Sequence, residues 1–282
     1  MTDTVRRACA AMAIMLVAGC AFAEGIRPKI VVRYDFEDGK TGGMEASGGG
    51  KLEITEGETF DGTGKALKSV NDRTYLGVSF YQRKPIVENG TTVCFAYRVS
   101  GIKGDLMVQC NAEGAGNLHA AVKPTVHGKW AVGVVDLGKL VDWGGKHSHS
   151  KGFKLKNVQI YGGIRKGKSV LLVDNVVVFD GKDSAAPEAP EGLTGEITDY
   201  RVKISWRPAY DDTFVAEYAV YRGTTPDFEP RAENLVGRTR SPAIEDDTIS
   251  NFGTFYYRAK AVDAFGNAGR LSEPLALKVV EE

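Results

Sequence analysis

The 282-residue chain is poor in the residues that announce chemistry. It holds four cysteines and four histidines, and no two cysteines stand in a CxxC pair. That removes zinc-ligand spacing and dithiol redox motifs. There is no G-x-S-x-G elbow, no H-E-x-x-H, no phosphate-binding loop and no Rossmann fingerprint, so the common constellations of catalysis are missing. Net charge is missing too: 36 Lys and Arg balance 36 Asp and Glu, which argues against nucleic acid as a partner. The apolar stretch Ala8 to Ala18 is too short to span a bilayer. What the chain has in excess is glycine, with 34 residues, about 12% against an average near 7%. Such a content suits an all-β chain with many turns.

The N-terminus reads as an export signal, with Arg6 and Arg7 ahead of the apolar stretch. Two processing sites compete. Ala21-Phe22-Ala23 fits the small-x-small rule and makes residues 1–23 the signal, whereas Leu16-Val17-Ala18-Gly19-Cys20 resembles the bacterial lipobox. In the second case residues 1–19 leave and Cys20 is lipidated. The membrane is then contacted only through that anchor, each buried CH₂ contributing about 0.8 kcal/mol. Otherwise Cys20 is a small residue in a discarded segment. The expected location is outside the cytoplasm, as a cell-envelope lipoprotein or a secreted or periplasmic protein. Two cysteines remain to the body, Cys94 and Cys110, placed symmetrically about Ile102 in an expected hairpin (Thr92 to Val99, then Asp105 to Cys110). Export permits a disulfide between them. Two buried thiols are the alternative, because a bridge directly across two strands is strained.

Residues 183–191, within the Pro- and Ala-rich run Gly181 to Gly192, read as a linker. Beyond it, residues 192–282 alternate with a period of two. Val202, Ile204 and Trp206 fall on one face with charge on the other, and Glu217 to Arg222 and Phe255 to Val262 repeat the pattern. Ile204-Ser205-Trp206-x-Pro208, Tyr218-x-Val220-Tyr221-Arg222 and Phe255-x-Tyr257-Arg258-x-x-Ala261-Val262-Asp263 closely resemble a fibronectin type III domain, over Ala189 to Val280. The resemblance implies a two-sheet sandwich with Trp206 in its core. It places the family's corner tyrosine on Phe255, which implies a corner held by packing alone. No Arg-Gly-Asp triplet is present, and the domain is expected to act as a spacer.

Residues 28–182 also read as all-β. Expected strands run from Lys29 to Phe36, Ala66 to Val70, Leu76 to Tyr81, Thr92 to Val99, Asp105 to Cys110, His119 to Val122, Trp130 to Asp136, Lys156 to Tyr161 and Ser169 to Phe179. So many strands in this length suggest a jelly-roll β-sandwich. Asp35-Phe36-Glu37-Asp38-Gly39, Gly64-Lys65-Ala66-Leu67-Lys68, Gly128-Lys129-Trp130, Val135-Asp136-Leu137 and Val173-Asp174-Asn175-Val176 together resemble the galactose-binding-like jelly rolls common among carbohydrate-binding modules. The resemblance implies adjacent first and last strands that hold a structural calcium, with Asp35, Glu37 and Asp174 as the matching carboxylates. Calcium asks for several hard oxygen ligands at once. The alternative is ordinary acids at strand ends.

Sugar recognition needs flat apolar rings with polar groups beside them. Trp143, Tyr75, Tyr81 and Tyr161 are the candidates in this segment, and Trp130 is expected to pack structurally. His147 and His149 stand two apart in a Gly/Lys/Ser loop; a strand would aim both at one metal, a loop would leave them in solvent. Charge is divided between the halves. From Asp183 on, 11 basic face 18 acidic residues, while Gly144 to Ser169 is basic with no acid. Acidic glycans are therefore included among the expected partners. The chain is expected to be a non-catalytic polysaccharide-binding protein. Its alternatives are an envelope assembly component and a β-sandwich enzyme acting on polysaccharide.

Overall fold

The computed structural model describes residues 25–86, 90–114, 116–144, 155–165, 167–198 and 201–280, without the side chains of 81–86 and 155. Cys20, His147 and His149 lie outside the described residues. All regular structure among the described residues is β-strand, apart from short 3₁₀ turns. The first strands are β1 (Lys29–Tyr34), β2 (Glu45–Ala46), β3 (Lys51–Glu56), β4 (Lys65–Asn71), β5 (Tyr75–Ile86) and β6 (Thr92–Ser100). Then come β7 (Ile102–Ala112), β8 (Gly116–Ala121), β9 (Ala131–Asp136), β10 (Leu155–Ile164) and β11 (Ser169–Asp180). They form two antiparallel sheets. The back sheet runs β3-β4-β11-β6-β9, with β1 on the far half of β11, and the front sheet runs β2-β5-β10-β7-β8. First and last strands are thus paired, Tyr34 opposite Val176. Two of these strands were not among those expected: β2 is two residues long in the glycine-rich run from Gly39 to Gly50, and β3 directly follows it with only Leu52 and Ile54 turned to the core.

Between the sheets lies one core. Leu67, Phe95, Tyr97, Leu171 and Val173 face forward to meet Leu76, Val78, Phe80, Leu106, Val108, Val158 and Ile160. Each fully buried Leu or Phe contributes about 1.5–3 kcal/mol. The pairing of β11 with β6 shifts register between Asp174 and Val177, where Asn175 has φ +48°. This bulge changes which residues face inward, from Leu171 and Val173 to Val176 and Val178, and leaves Val177 and Phe179 on the outer face.

The expected β6–β7 hairpin is not formed. β6 lies between β11 and β9, and β7 between β10 and β8, so at Gly101 the chain arches from the back sheet to the front. The arch lets the apolar faces of both strands meet across the core, which a flat hairpin cannot do. Cys94 lies on the outer face of the back sheet and Cys110 inside the core, and both are free and buried. Burial pushes both thiols up.

The second sandwich contains β12 (Glu191–Thr198), β13 (Arg201–Arg207), β14 (Val215–Gly223), β15 (Leu235–Thr239), β16 (Ala243–Asp246), β17 (Gly253–Asp263) and β18 (Leu275–Val279). Its sheets run β12-β13-β16 and β15-β14-β17-β18, the three-plus-four division of an immunoglobulin-like sandwich. Val202, Ile204 and Trp206 are buried, and the Trp206 ring meets Tyr218 edge-on at 5.2 Å. The corner does not rest on packing alone. Tyr257 is fully buried and its hydroxyl donates to Asp246 Oδ2 at 2.9 Å. Phe255, two residues before it on the same face, lies under the Arg222 guanidinium at 5.3 Å.

The segment joining the sandwiches is packed. Ile26 O accepts from the N–H groups of Ser184 and Ala185, and Glu188 N–H donates to Tyr210 O. The second sandwich covers the outer face of the back sheet: Phe60, Cys94, Ala96, Val177 and Phe179 cluster with Phe214. Phe60 meets Phe214 and Trp130 edge-on at 5.8 and 5.9 Å. Arg27 pairs with Asp212 at 2.9 Å, and Arg33 donates to the carbonyls of Asp211 and Asp212.

Asp246 is the most heavily bonded acid of the second sandwich. Burial alone would raise its pKa. Hydrogen bonds from the Thr248 hydroxyl and N–H and from Tyr257, with the charge of Arg222, outweigh burial and hold it below its ordinary 3.8. The folded form therefore binds a proton more weakly than the unfolded chain. Its stabilisation is complete above 3.8 and is lost as pH falls through the lower folded value. Urea unfolding should show Tyr257→Phe costing about 1–2 kcal/mol and Asp246→Ala about 3–5 kcal/mol, because Arg222 is left unpaired. An Asp246→Asn variant should lose stability less steeply than the wild type below about pH 4.

Candidate functional site: the outer face of the front sheet

The second sandwich packs on the outer face of the back sheet, and among the described residues no strand packs on the outer face of the front sheet. Alternation decides what it carries. On β10 the inward residues are Val158 and Ile160, so Asn157, Gln159 and Tyr161 face out; on β7, Val108 and Cys110 face in, so Met107, Gln109 and Asn111 face out. Register lines these up in rows. Ser79, Gln159, Gln109 and His119 make one row, and Tyr81, Asn157, Asn111 and Asn117 the next.

The amides hold one another. Gln109 Nε2 donates to Gln159 Oε1 at 3.1 Å, and Gln159 Nε2 to Ser47 Oγ at 2.7 Å. Asn111 donates its N–H to Asn157 Oδ1 at 2.9 Å and its Nδ2–H to Asn117 Oδ1 at 3.0 Å. Each amide offers two donors and an acceptor, so the bonds among them fix the side chains and leave further groups facing outward. Such a surface suits a ligand whose hydroxyls both give and accept hydrogen bonds.

Aromatic rings border the rows at both ends. Tyr75 is 48% exposed and meets Tyr161 edge-on at 5.9 Å, while Tyr161 is only 8% exposed and its hydroxyl reaches Gln109 Oε1 at 3.4 Å. Gly77 lies across from Tyr161, and a Cβ there would stand 2.4 Å from Ile160 O and 2.6 Å from Tyr161 Cβ. Only glycine lets the Tyr161 ring lie over β5. At the other edge Trp143 is 71% exposed and stacks on His119, centroids 3.7 Å apart and planes 25° off parallel. Burial lowers the His119 pKa against the opposing Asp142 charge, so the imidazole under the tryptophan is neutral at pH 7.

Of the four aromatic residues singled out from sequence, Tyr75 and Tyr161 come together and Trp143 stands at the opposite edge. Tyr81 lies on β5 opposite Asn157, its side chain outside the described residues. Trp130 instead packs at the junction, edge-on to Phe60 with the Arg98 guanidinium 5.7 Å from its ring. The amides of β7 and β10 were missed by sequence reasoning. Their signal was available: off-core strand positions filled by Asn and Gln where a solvated face usually carries charge.

The acidic residues fall into two groups. Asp35 and Glu37 are exposed and Asp174 is buried. Glu37 Oε1 accepts from Lys65 N–H at 3.0 Å, and the Asp174 oxygens accept from Phe60 and Asn175 N–H at 3.0 and 2.8 Å. Burial pushes Asp174 up to about 7, with the Asp61 and Glu37 charges adding to it. These three carboxylates do not form a set with mutually close oxygens. Among the described residues that spacing belongs to Asp183, Asp211 and Asp263, all buried, with ligand oxygens within 4.8 Å of one another. They come from the joining segment, the β13–β14 loop and the end of β17, too far apart in sequence to be read as a set. Thr213 Oγ1 lies 3.0 Å from Asp183 Oδ2 and 2.7 Å from Asp211 Oδ1, with one hydrogen to serve both. Burial pushes Asp183 up to about 6, with Asp211 and Asp263 adding to it, and also raises Asp211. Three hard oxygen donors so placed have the geometry to bind a metal ion.

Two β-sandwiches, one with a polar face edged by aromatic rings, define the class of this protein. No protein-family model matches the chain. Exoglucanase B of Cellulomonas fimi is 32% identical over 111 residues, which is 38% of this chain and 9% of that protein. The chain spans about a tenth of the length of the curated relatives it matches. Among solved structures it is similar to the CBM22-1 xylan-binding domain from Paenibacillus barcinonensis Xyn10C, with TM-score 0.41 and 17% identity over 56% of this chain and 97% of that one. It is also similar to an Fn3-like protein from Clostridium thermocellum, with TM-score 0.30 and 20% identity over 35% of this chain and 98% of that one.

An ion bound only by the folded chain stabilises it by mass action, about 2.7 kcal/mol at a hundredfold excess over Kd. Thermal unfolding in millimolar calcium should therefore show a higher midpoint than in chelator. Asp263→Asn, which keeps the turn shape, should remove the difference; equal midpoints for the wild type would mean that the triad binds no calcium.

Proposed function

We propose that this is a non-catalytic protein that binds polysaccharide along the outer face of its front sheet. The observation that carries this reading is the pair of amide rows, Gln159–Gln109 and Asn157–Asn111–Asn117, bordered by Tyr75 and Tyr161 at one end and Trp143 at the other. Amides match sugar hydroxyls, and rings match the C–H faces of a pyranose. The His119 imidazole on this face is stacked under Trp143, and the rows beside it suit the holding of a chain. That the relative matched over 111 residues is named an exoglucanase accords with a place beside polysaccharide chemistry.

The second sandwich holds the first by covering its back sheet, so the binding face points away from it. Calcium is the cation we assign to the aspartate triad, where it would tie the joining segment to the second sandwich without taking part in binding. Export, implied by Arg6, Arg7 and the apolar stretch behind them, puts the protein where polysaccharides are.

Affinity electrophoresis of the chain from Glu24 onward, against a panel of neutral and acidic polysaccharides, tests the reading. At least one polymer should retard it. Trp143→Ala should weaken that binding about tenfold, as loss of an aromatic anchor does, and Gln159→Ala about fivefold. A folded protein retarded by no polymer would sink the reading and favour a role in contacts with other proteins.

A further inference from the structure

A cavity of about 420 Å³ opens beside Tyr75, where three loops of the first sandwich meet. Gly49 to Lys51 form one wall, Asn71 to Arg73 another, and Gly167 with Lys168 the third. Three cations line it, Lys51, Arg73 and Lys168, against one carboxylate, Asp72. All three are exposed. Elsewhere on the same sandwich Lys65, Lys68 and Arg98 each pair with a glutamate. Lys51, Arg73 and Lys168 form no ion pair with an acid among the described residues. Like charges gathered around one cavity repel each other and raise the local potential, and an anion relieves both.

The cavity is built rather than accidental. Asn71 Nδ2 donates to Gly48 O at 3.1 Å and to Tyr75 O at 2.6 Å, while its Oδ1 accepts from the N–H groups of Asp72 and Arg73 at 2.8 and 3.1 Å. One side chain thus clamps two of the walls and the first aromatic residue of the front face. Gly48 has φ +65°, and a Cβ there would lie 2.7 Å from Tyr75 O. The clamp also continues into the face: Asn71 Nδ2 reaches Ser47 O at 3.4 Å, and Ser47 Oγ accepts from Gln159 Nε2 at 2.7 Å. Cavity and amide rows are parts of one hydrogen-bonded surface.

We propose that this cavity is a carboxylate subsite, taking the uronic-acid group of an acidic glycan whose main chain lies on the front sheet. It rests on the polysaccharide-binding reading and names the class of polymer. The Arg73 guanidinium presents paired N–H donors that match a planar carboxylate, and the two lysines act as point charges around it. Glycines at 49, 50 and 167 keep side chains out of the way of a group carried on a ring.

The test compares two polymers by titration calorimetry with the wild-type chain. One is a β-linked polysaccharide with uronic-acid side groups, and the other is the same polymer with its carboxyls reduced to alcohols. The uronate form should bind about tenfold more tightly, the range of hydrogen bonds to charged groups, and the advantage should shrink as salt rises. Arg73→Gln and Lys168→Gln, both at exposed positions, should each cut that advantage while the reduced polymer binds as before. Free glucuronate should compete away the difference at concentrations where inorganic phosphate does not; the reverse order overturns a carboxylate subsite in favour of a phosphate one. Equal affinity for the two polymers overturns the subsite and leaves the front-sheet reading standing. Binding to neither overturns the subsite, and with no retardation across the electrophoresis panel it overturns the front-sheet reading as well.

Discussion

The pleat of the β-strand, which sends alternate side chains to opposite faces, is the constraint on which the rest of this structure depends. On β10 it commits Val158 and Ile160 to the core and Asn157, Gln159 and Tyr161 to the outside. On β7 it does the same with Val108 and Cys110 against Gln109 and Asn111. Because the two strands are in register, the amides meet as rows and satisfy one another. A one-residue slip would put Gln159 and Gln109 into the apolar core, so burial on one face holds the binding surface in place on the other.

The back sheet obeys the same rule with a different outcome. Its outer face carries Cys94, Ala96, Val177 and Phe179, too apolar to be left in water, and the second sandwich covers it with Phe214. The bulge at Asp174 and Asn175 matters here, since the shift in alternation brings Val177 and Phe179 to that face. The junction gathers three carboxylates into a buried space, where the charges of Asp211 and Asp263 add to burial in raising the pKa of Asp183. The first sandwich thus has one sheet packed against its neighbour and the other facing outward, and the cationic loop cavity lies at the Tyr75 end of that outward face.

Much of the fold was legible in the chain. Period-two alternation marks β13, where Val202, Ile204 and Trp206 are all buried, and five strands of the first sandwich, β1, β4, β6, β9 and β11, lie within two residues of their expected bounds. Such alternation is a local property. The β6–β7 arch was not legible, because Gly101 permits both a hairpin and a crossing, and only the need for Phe95 and Val108 to face each other across one core selects the crossing. Nor was the Tyr257–Asp246 bond legible, since alignment on Phe255 does not reveal which ring on that face keeps a hydroxyl within reach of β16.

The sequence by itself determined that the chain is all-β and that Val202, Ile204 and Trp206 share one buried face. Local patterning suffices for these, because each depends on neighbours a few residues away. Only the tertiary structure decided that Gln109 lies beside Gln159, that Asp183, Asp211 and Asp263 share one buried space, and that Lys51, Arg73 and Lys168 line one cavity. Those residues come from strands and loops far apart in the chain, and strand pairing with sheet stacking sets the distances between them.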